Sequence, residues 1–303
     1  MNNDPNSRSR HWPRSFSLSC AALALCFGRP LAALARLGYA SELYSYVILV
    51  PLISAFLVWA KWKTLPAPSG PDRTWTALLM AAGFCFLGAL WIPGLFGAGW
   101  SHLDSLILET LSFLSMFAGL CSWFLGRKLL RALVFPLCLL LLMTPLPLGV
   151  SNALESMLQH ASAAVAYGFF EVSGTPIYSI GDLKFQLPGI TIEVAPECSG
   201  LRSSLALFIT SLLAGSVFLR SSWTRALLCL AVIPIGIIRN AFRIFTVGEL
   251  CVQIGPQMID SYIHRTGGWM FFLVSMVPLF LLLLLLVRSE RSRTRATMPS
   301  VGE

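Results

Sequence analysis

The chain has 303 residues, of which 56% are apolar and 12% charged, with a formal net charge of +8. That balance excludes an ordinary soluble domain and indicates an all-α integral membrane protein. The positive charge sits in short clusters between apolar runs and forms no aromatic-interleaved stripe, so it reads as an orientation signal, and no nucleic-acid partner is expected.

Arg8, Arg10 and Arg14, followed by an apolar stretch to Phe27, resemble a signal peptide, and Ala33-Leu34-Ala35 imitates a cleavage site. Further apolar segments follow, so this one is read as an uncleaved anchor. Crossing a bilayer takes about 20 residues, and on that measure about eight spans are predicted. They lie near Phe16 to Ala35, Glu42 to Ala60, Trp75 to Phe96, Leu103 to Leu125, Leu129 to Leu148, Ser199 to Leu219, Thr224 to Val247 and Thr266 to Val287. Basic residues occupy alternate loops: Lys61, Lys63 and Arg73; Arg127, Lys128 and Arg131; Arg220 and Arg225; Arg288, Arg291, Arg293 and Arg295. The positive-inside rule then puts both termini in the cytoplasm, with Arg36 as the exception. Residues 1–290 read as one transmembrane domain with a reactive core at about 194–287, and 291–303 as a disordered basic cytoplasmic tail.

The longest outer loop, Gly149 to Glu197, is acidic. Within it Leu154, Met157, Leu158, Ala161, Val165 and Phe169 recur at helical spacing, which predicts an amphipathic helix over Ser151 to Phe170 on the outer interface. Beyond Thr175 the pattern turns to short β-prone pieces, Pro176 to Tyr178 and Thr191 to Val194, separated by turn signals at Gly181-Asp182 and Pro188-Gly189. A small β-hairpin is expected to deliver the chain to the sixth span.

That span opens with Glu197-Cys198-Ser199-Gly200-Leu201-Arg202. A thiol in the cap region of a helix meets unpaired amides and the positive dipole end, which favour a thiolate, and Arg202 one turn on adds charge. The plain alternative is a buried structural cysteine. The seventh span ends in Arg239-Asn240-Ala241-Phe242-Arg243. Each guanidinium inside an apolar helix costs roughly 2.5 kcal/mol or more near the bilayer centre, so such residues line polar cavities or snorkel to headgroups. Arg239 and Arg243 are four apart and share a face, and Asn240 can bond a neighbouring helix. His264 precedes the eighth span, followed by Gly267-Gly268-Trp269. With spans running in, out and in, Cys198, Arg243 and His264 reach one face of the membrane, where a base-assisted thiolate and a cationic donor compose a nucleophilic site.

The eight cysteines lie mostly inside apolar runs, no C-x-x-C pair occurs, and the four histidines are scattered, so no disulfide framework, metal or other cofactor is expected.

These motifs resemble the exosortase and archaeosortase family of membrane cysteine transpeptidases. Glu197 to Arg202 resembles its E-C-S-G-x-R box, Asn240 and Arg243 its N-x-x-R, and His264 with Gly268-Trp269 its H-x-x-x-G-W end. Pro145-Leu146-Pro147 and Tyr44 to Trp59 fit more loosely, and Ser45-Tyr46-Val47 stands where family members often place a histidine. The resemblance implies an enzyme of the bacterial inner membrane, acting at its outer, periplasmic face on proteins with a C-terminal sorting signal of the PEP-CTERM kind: a short motif, a transmembrane helix and an Arg-rich tail. It would cleave near the motif through an acyl-thioester on Cys198, with Arg243 and His264 in support, and pass the protein to a lipid, a glycan or water. Arg239, facing the same way as Arg243, could bind a substrate carboxylate, and Glu197, Asn240 and Arg202 complete the supporting set. Two rival readings are a polysaccharide or lipid-linked sugar transporter or polymerase, with Arg239 and Arg243 on phosphate or a sugar acid, and a structural assembly subunit.

Overall fold

The computed structural model describes residues 14–92, 101–260 and 268–296. They form an all-α membrane protein with one small sheet, and the chain divides into two compact units, 1–147 and 148–303.

In the first unit, α1 (Arg14–Cys26) and α2 (Gly28–Ala40) meet at a bend of 71°. Pro30 sits in the first turn of α2, where its missing N–H has no intrahelical partner to lose, so the sequence starts a new helix here. The span predicted over Phe16 to Ala35 is therefore two short helices. Next come α3 (Tyr46–Ala60) and α4 (Arg73–Ala89), the latter capped by the Asp72 carboxylate, which accepts from Trp75 N at 3.2 Å.

The helix α5 (His102–Leu140) opens with a reciprocal Ser101/Asp104 capping box and contains the span predicted over Leu103 to Leu125 and the part up to Leu140 of the one predicted over Leu129 to Leu148. Its two arms are separated at Gly126, whose φ of 75° and ψ of 173° lie outside the helical region. Carbonyls freed by the break are taken up by the loop before α4: Ser69 N donates to Leu125 O at 3.1 Å and Asp72 N to Ser122 O at 3.4 Å. A side chain at 126 would meet Ser69 and Gly70, so glycine is required by space as well as by φ.

The second unit starts with α6 (Leu148–Ser173), which contains the helix predicted over Ser151 to Phe170, although its buried face is shifted. Buried are Ser151, Leu158, Gln159, Ser162, Ala163, Ala166 and Phe170, while Met157 is exposed. Then follow β1 (Tyr178–Gly181), β2 (Lys184–Leu187) and β3 (Ile190–Glu193), an antiparallel meander in the order β1-β2-β3. The expected hairpin thus has a third strand between its two β-prone pieces. Phe185, Leu187 and Ile192 turn inward against Ala163, Ala166 and Phe170 of α6. After the sheet come α7 (Leu201–Phe218), α8 (Ser222–Gln253) and α9 (Gly268–Ala296). The turn between α7 and α8 is fastened at both ends: Glu290 accepts from Arg220 N and Ser221 N, each at 2.9 Å, and Arg225 donates through Nε to Leu219 O at 3.0 Å. Since α9 continues to Ala296, helix extends into the segment 291–303 expected to be disordered.

Among the described residues α7, α8 and α9 are long and apolar enough to cross a membrane, and the number rises to five if each bent helix pair counts as one span. The predicted figure of about eight is not reproduced. The divisions at Gly126 and at Pro145 to Pro147 fall at predicted breaks, whereas the bend at Phe27-Gly28 divides a stretch that hydropathy reads as one span.

Candidate functional site

Strand β3 leads directly into the Cys198 segment. Val194 N donates to Leu183 O at 2.9 Å and Val194 O accepts from the buried Gln159 Nε2 of α6, so the exit of the strand is held on both its polar groups. Ala195 is extended, and Pro196 to Cys198 close one turn of 3₁₀ helix in which Cys198 N donates to Ala195 O at 2.8 Å. The chain then reverses through Gly200, at φ 76°, which is the N-cap of α7. Cys198 therefore lies two residues outside the cap, and its own amide is already bonded. The expected cap position is thus taken by Gly200, and Cys198 belongs to the 3₁₀ turn that precedes it.

Two adjacent residues of α8 hold this turn. Asn240 Nδ2 donates to Cys198 O at 2.7 Å, and Arg239 Nη2 donates to Gly200 O at 3.2 Å. Both side chains are buried, Arg239 at 7% exposure and Asn240 at 2%. Gly200 O also accepts from Ser203 Oγ at 3.1 Å and Ser204 N at 3.0 Å. A Cβ at 200 would come within 2.8 Å of Arg239 Nη2 and 3.0 Å of Asn240, so glycine fits here both in space and in φ. One of the five N–H donors of this guanidinium is thus committed to the turn, which makes Arg239 a support of the Cys198 to Gly200 backbone.

One turn along the same face of α8, Arg243 lines a cavity of about 30 Å³ together with Cys198, Asn240, Ile192, Val194 and Ile259. The volume is that of a single water molecule. It is too small for a peptide and of the right order for one polarised oxygen. Arg202, the second residue of α7, is exposed and absent from the cavity lining; Glu197 occupies the middle of the 3₁₀ turn. His264 lies outside the described residues. Ile259, five residues before it in sequence, forms part of the cavity wall. Cys198 is half-buried, and all eight cysteines are free thiols. Among the described residues no group of three or more His, Cys, Asp or Glu side chains could hold a metal ion.

Cys198, Asn240 and Arg243, the residues that carry the motif resemblance in α8 and its approach, are thus brought together around one cavity. A model of the transmembrane exosortase family matches residues 38–281. The chain belongs to the transmembrane exosortase family. The matched region contains Cys198, Arg239, Asn240, Arg243 and His264 and most of both units. No curated protein and no solved structure matches the chain at a significant level.

Sequence reasoning missed Gln159. Its signal was its position next to Leu158 and one turn before Ala163, on a face of small and polar residues that an apolar template passes over.

Proposed function

We propose that this exosortase is a cysteine transpeptidase that cleaves a C-terminal sorting signal and transfers the protein to an acceptor during export. The observation that carries this reading is the shared cavity of Cys198 and Arg243 in a chain of this family. The Cys198 thiolate attacks the scissile carbonyl carbon, forming a C–S bond as the carbonyl π pair moves onto oxygen. Arg243 donates hydrogen bonds to that oxygen in a space of its size. On collapse the C–N bond breaks, the leaving amine takes a proton from His264, and an acyl-thioester remains. An acceptor amine on a lipid or glycan, or water, then attacks, gives its proton to His264 and releases the thiolate.

The substrates are proteins anchored by a helix followed by basic residues. A site at a helix end in a membrane bundle is reached most directly by a chain that is itself held at that depth. Basic residues at the α7–α8 turn and at the end of α9 support a cytoplasmic carboxy terminus and a site on the outer face of the inner membrane; Arg8, Arg10 and Arg14 support the same side for the amino terminus. The testing experiment is expression in the native host or with a candidate substrate, comparing wild type with Cys198→Ala, Arg243→Ala and His264→Ala. Precursor is expected to accumulate in all three, most completely without Cys198. Normal maturation in the Cys198 variant would overturn the enzyme assignment.

A further inference from the structure

The meander leaves β3 with a neighbour on one side only. Its ladder with β2 pairs Leu187 with Ile190, Gln186 with Thr191, Phe185 with Ile192 and Lys184 with Glu193, and Val194 N bonds Leu183 O at 2.9 Å. Antiparallel ladders alternate bonded and non-bonded pairs, so that bond fixes the phase. Ile190 and Ile192 direct their main-chain groups to β2, as Val194 does its N–H, while Thr191 and Glu193 direct theirs outward. Among the described residues nothing bonds the main chain of either, and both residues are exposed. An open edge of this kind binds an extended peptide through two N–H donors and two carbonyl acceptors.

This edge differs from the other free edge of the sheet, on β1, in where it leads. Ile192, Glu193 and Val194 help to line the cavity that holds Cys198 and Arg243, and the thiol follows Glu193 by five residues. We propose that the outward edge of β3 is the substrate-binding strand: the extended motif of the sorting signal adds beside Thr191 and Glu193 and so delivers its scissile carbonyl to Cys198. The inference rests on the transpeptidase reading and adds its mode of recognition. The incoming strand runs parallel to β3, since both chains lead from an extended segment into a helix. Main-chain pairing also suits an enzyme whose substrates share a short motif, because the edge reads extension and depth more than side-chain identity.

The test uses the full chain in membranes, with the precursor that accumulates in Cys198→Ala cells as the probe. Thr191→Pro removes one outward N–H and leaves the β2–β3 ladder intact. The matching control is Ser179→Pro. Ser179 pairs with Phe185, whose main chain already bonds Ile192, so its N–H also faces outward, but on β1. Processing is expected to slow about three- to tenfold in Thr191→Pro and to stay at the wild-type rate in Ser179→Pro. In the Cys198→Ala background, a photo-crosslinker at position 191 is expected to capture the precursor at its motif, and one at position 179 is not. This second measurement stands even if the proline variant fails to fold. Wild-type processing by Thr191→Pro, capture from position 179 alone, or crosslinks only between two copies of this chain would overturn the proposal while leaving the transpeptidase reading in place. Absence of any accumulating precursor would overturn both.

Discussion

The unit spanning residues 1–147 contains a cavity of about 800 Å³ lined almost entirely by apolar side chains such as Trp59, Phe113, Phe117 and Leu137; the unit spanning 148–303 contains one of about 460 Å³ beside His160 and Asp182 and one of about 30 Å³ where Cys198, Asn240 and Arg243 stand among aliphatic side chains such as Ile192, Ile244 and Val247. Buried polar groups differ in the same sense. In the first unit they are single hydroxyls on single carbonyls, as in Ser54 Oγ to Pro136 O at 2.9 Å and Ser112 Oγ to Gly83 O at 2.8 Å. In the second, Gln159, Arg239 and Asn240 all converge on seven residues of one loop, from Val194 to Gly200. Hydroxyls of the first kind join helices. Groups of the second kind fix one loop, and on the proposed function this convergence, more than cavity volume, is what selects the second unit.

Substitutions can break this contrast or sharpen it. Arg243→Ala removes the cation from the cavity, and substrate processing is expected to fall by about 10² to 10³, as for loss of an oxyanion donor. Asn240→Leu leaves Cys198 O without its donor; the thiol shifts, and the rate is expected to drop about 10²-fold in a cell-based maturation assay. For Arg239, a positioning residue, Arg239→Met is expected to lower kcat about tenfold with KM unchanged, and Arg239→Lys to recover part of it. A rise in KM with unchanged kcat would instead assign Arg239 to substrate binding. The smallest effect belongs to the first unit. Ser112→Ala is expected to cost about 0.6 kcal/mol in stability, read by unfolding in detergent, with processing unchanged. If it slowed processing as much as Asn240→Leu, the contrast between the two units would fail.

The Cys198 box and the Asn240/Arg243 pair were legible because reactive residue types are costly in apolar segments and therefore conspicuous there. Their approach in space followed from helices that return the chain to one side. The strands β1 and β3 were partly legible, but β2 was not, since Lys184-Phe185-Gln186-Leu187 alternates over only four residues. The protein-facing side of α6 was not predicted, because in a membrane protein that side favours small and polar residues, here Ser151, Gln159, Ser162 and Ala166, whereas the apolar stripe through Met157 pointed to the lipid interface. The break at Gly126 was legible, because the predicted spans end at Leu125 and resume at Leu129 around a basic loop, while the φ angle that makes the turn was not. The role of Arg239 lay beyond the sequence altogether, because the carbonyl it bonds belongs to a residue 39 positions away.

The most direct measurement is mass analysis of the enzyme isolated during turnover, with the peptide containing Cys198 examined for a substrate fragment. The expected result is an acyl adduct on Cys198 that hydroxylamine releases and that is missing from Cys198→Ala. Continued processing by Cys198→Ala, or an adduct on another residue, would contradict the assignment of Cys198 as the nucleophile.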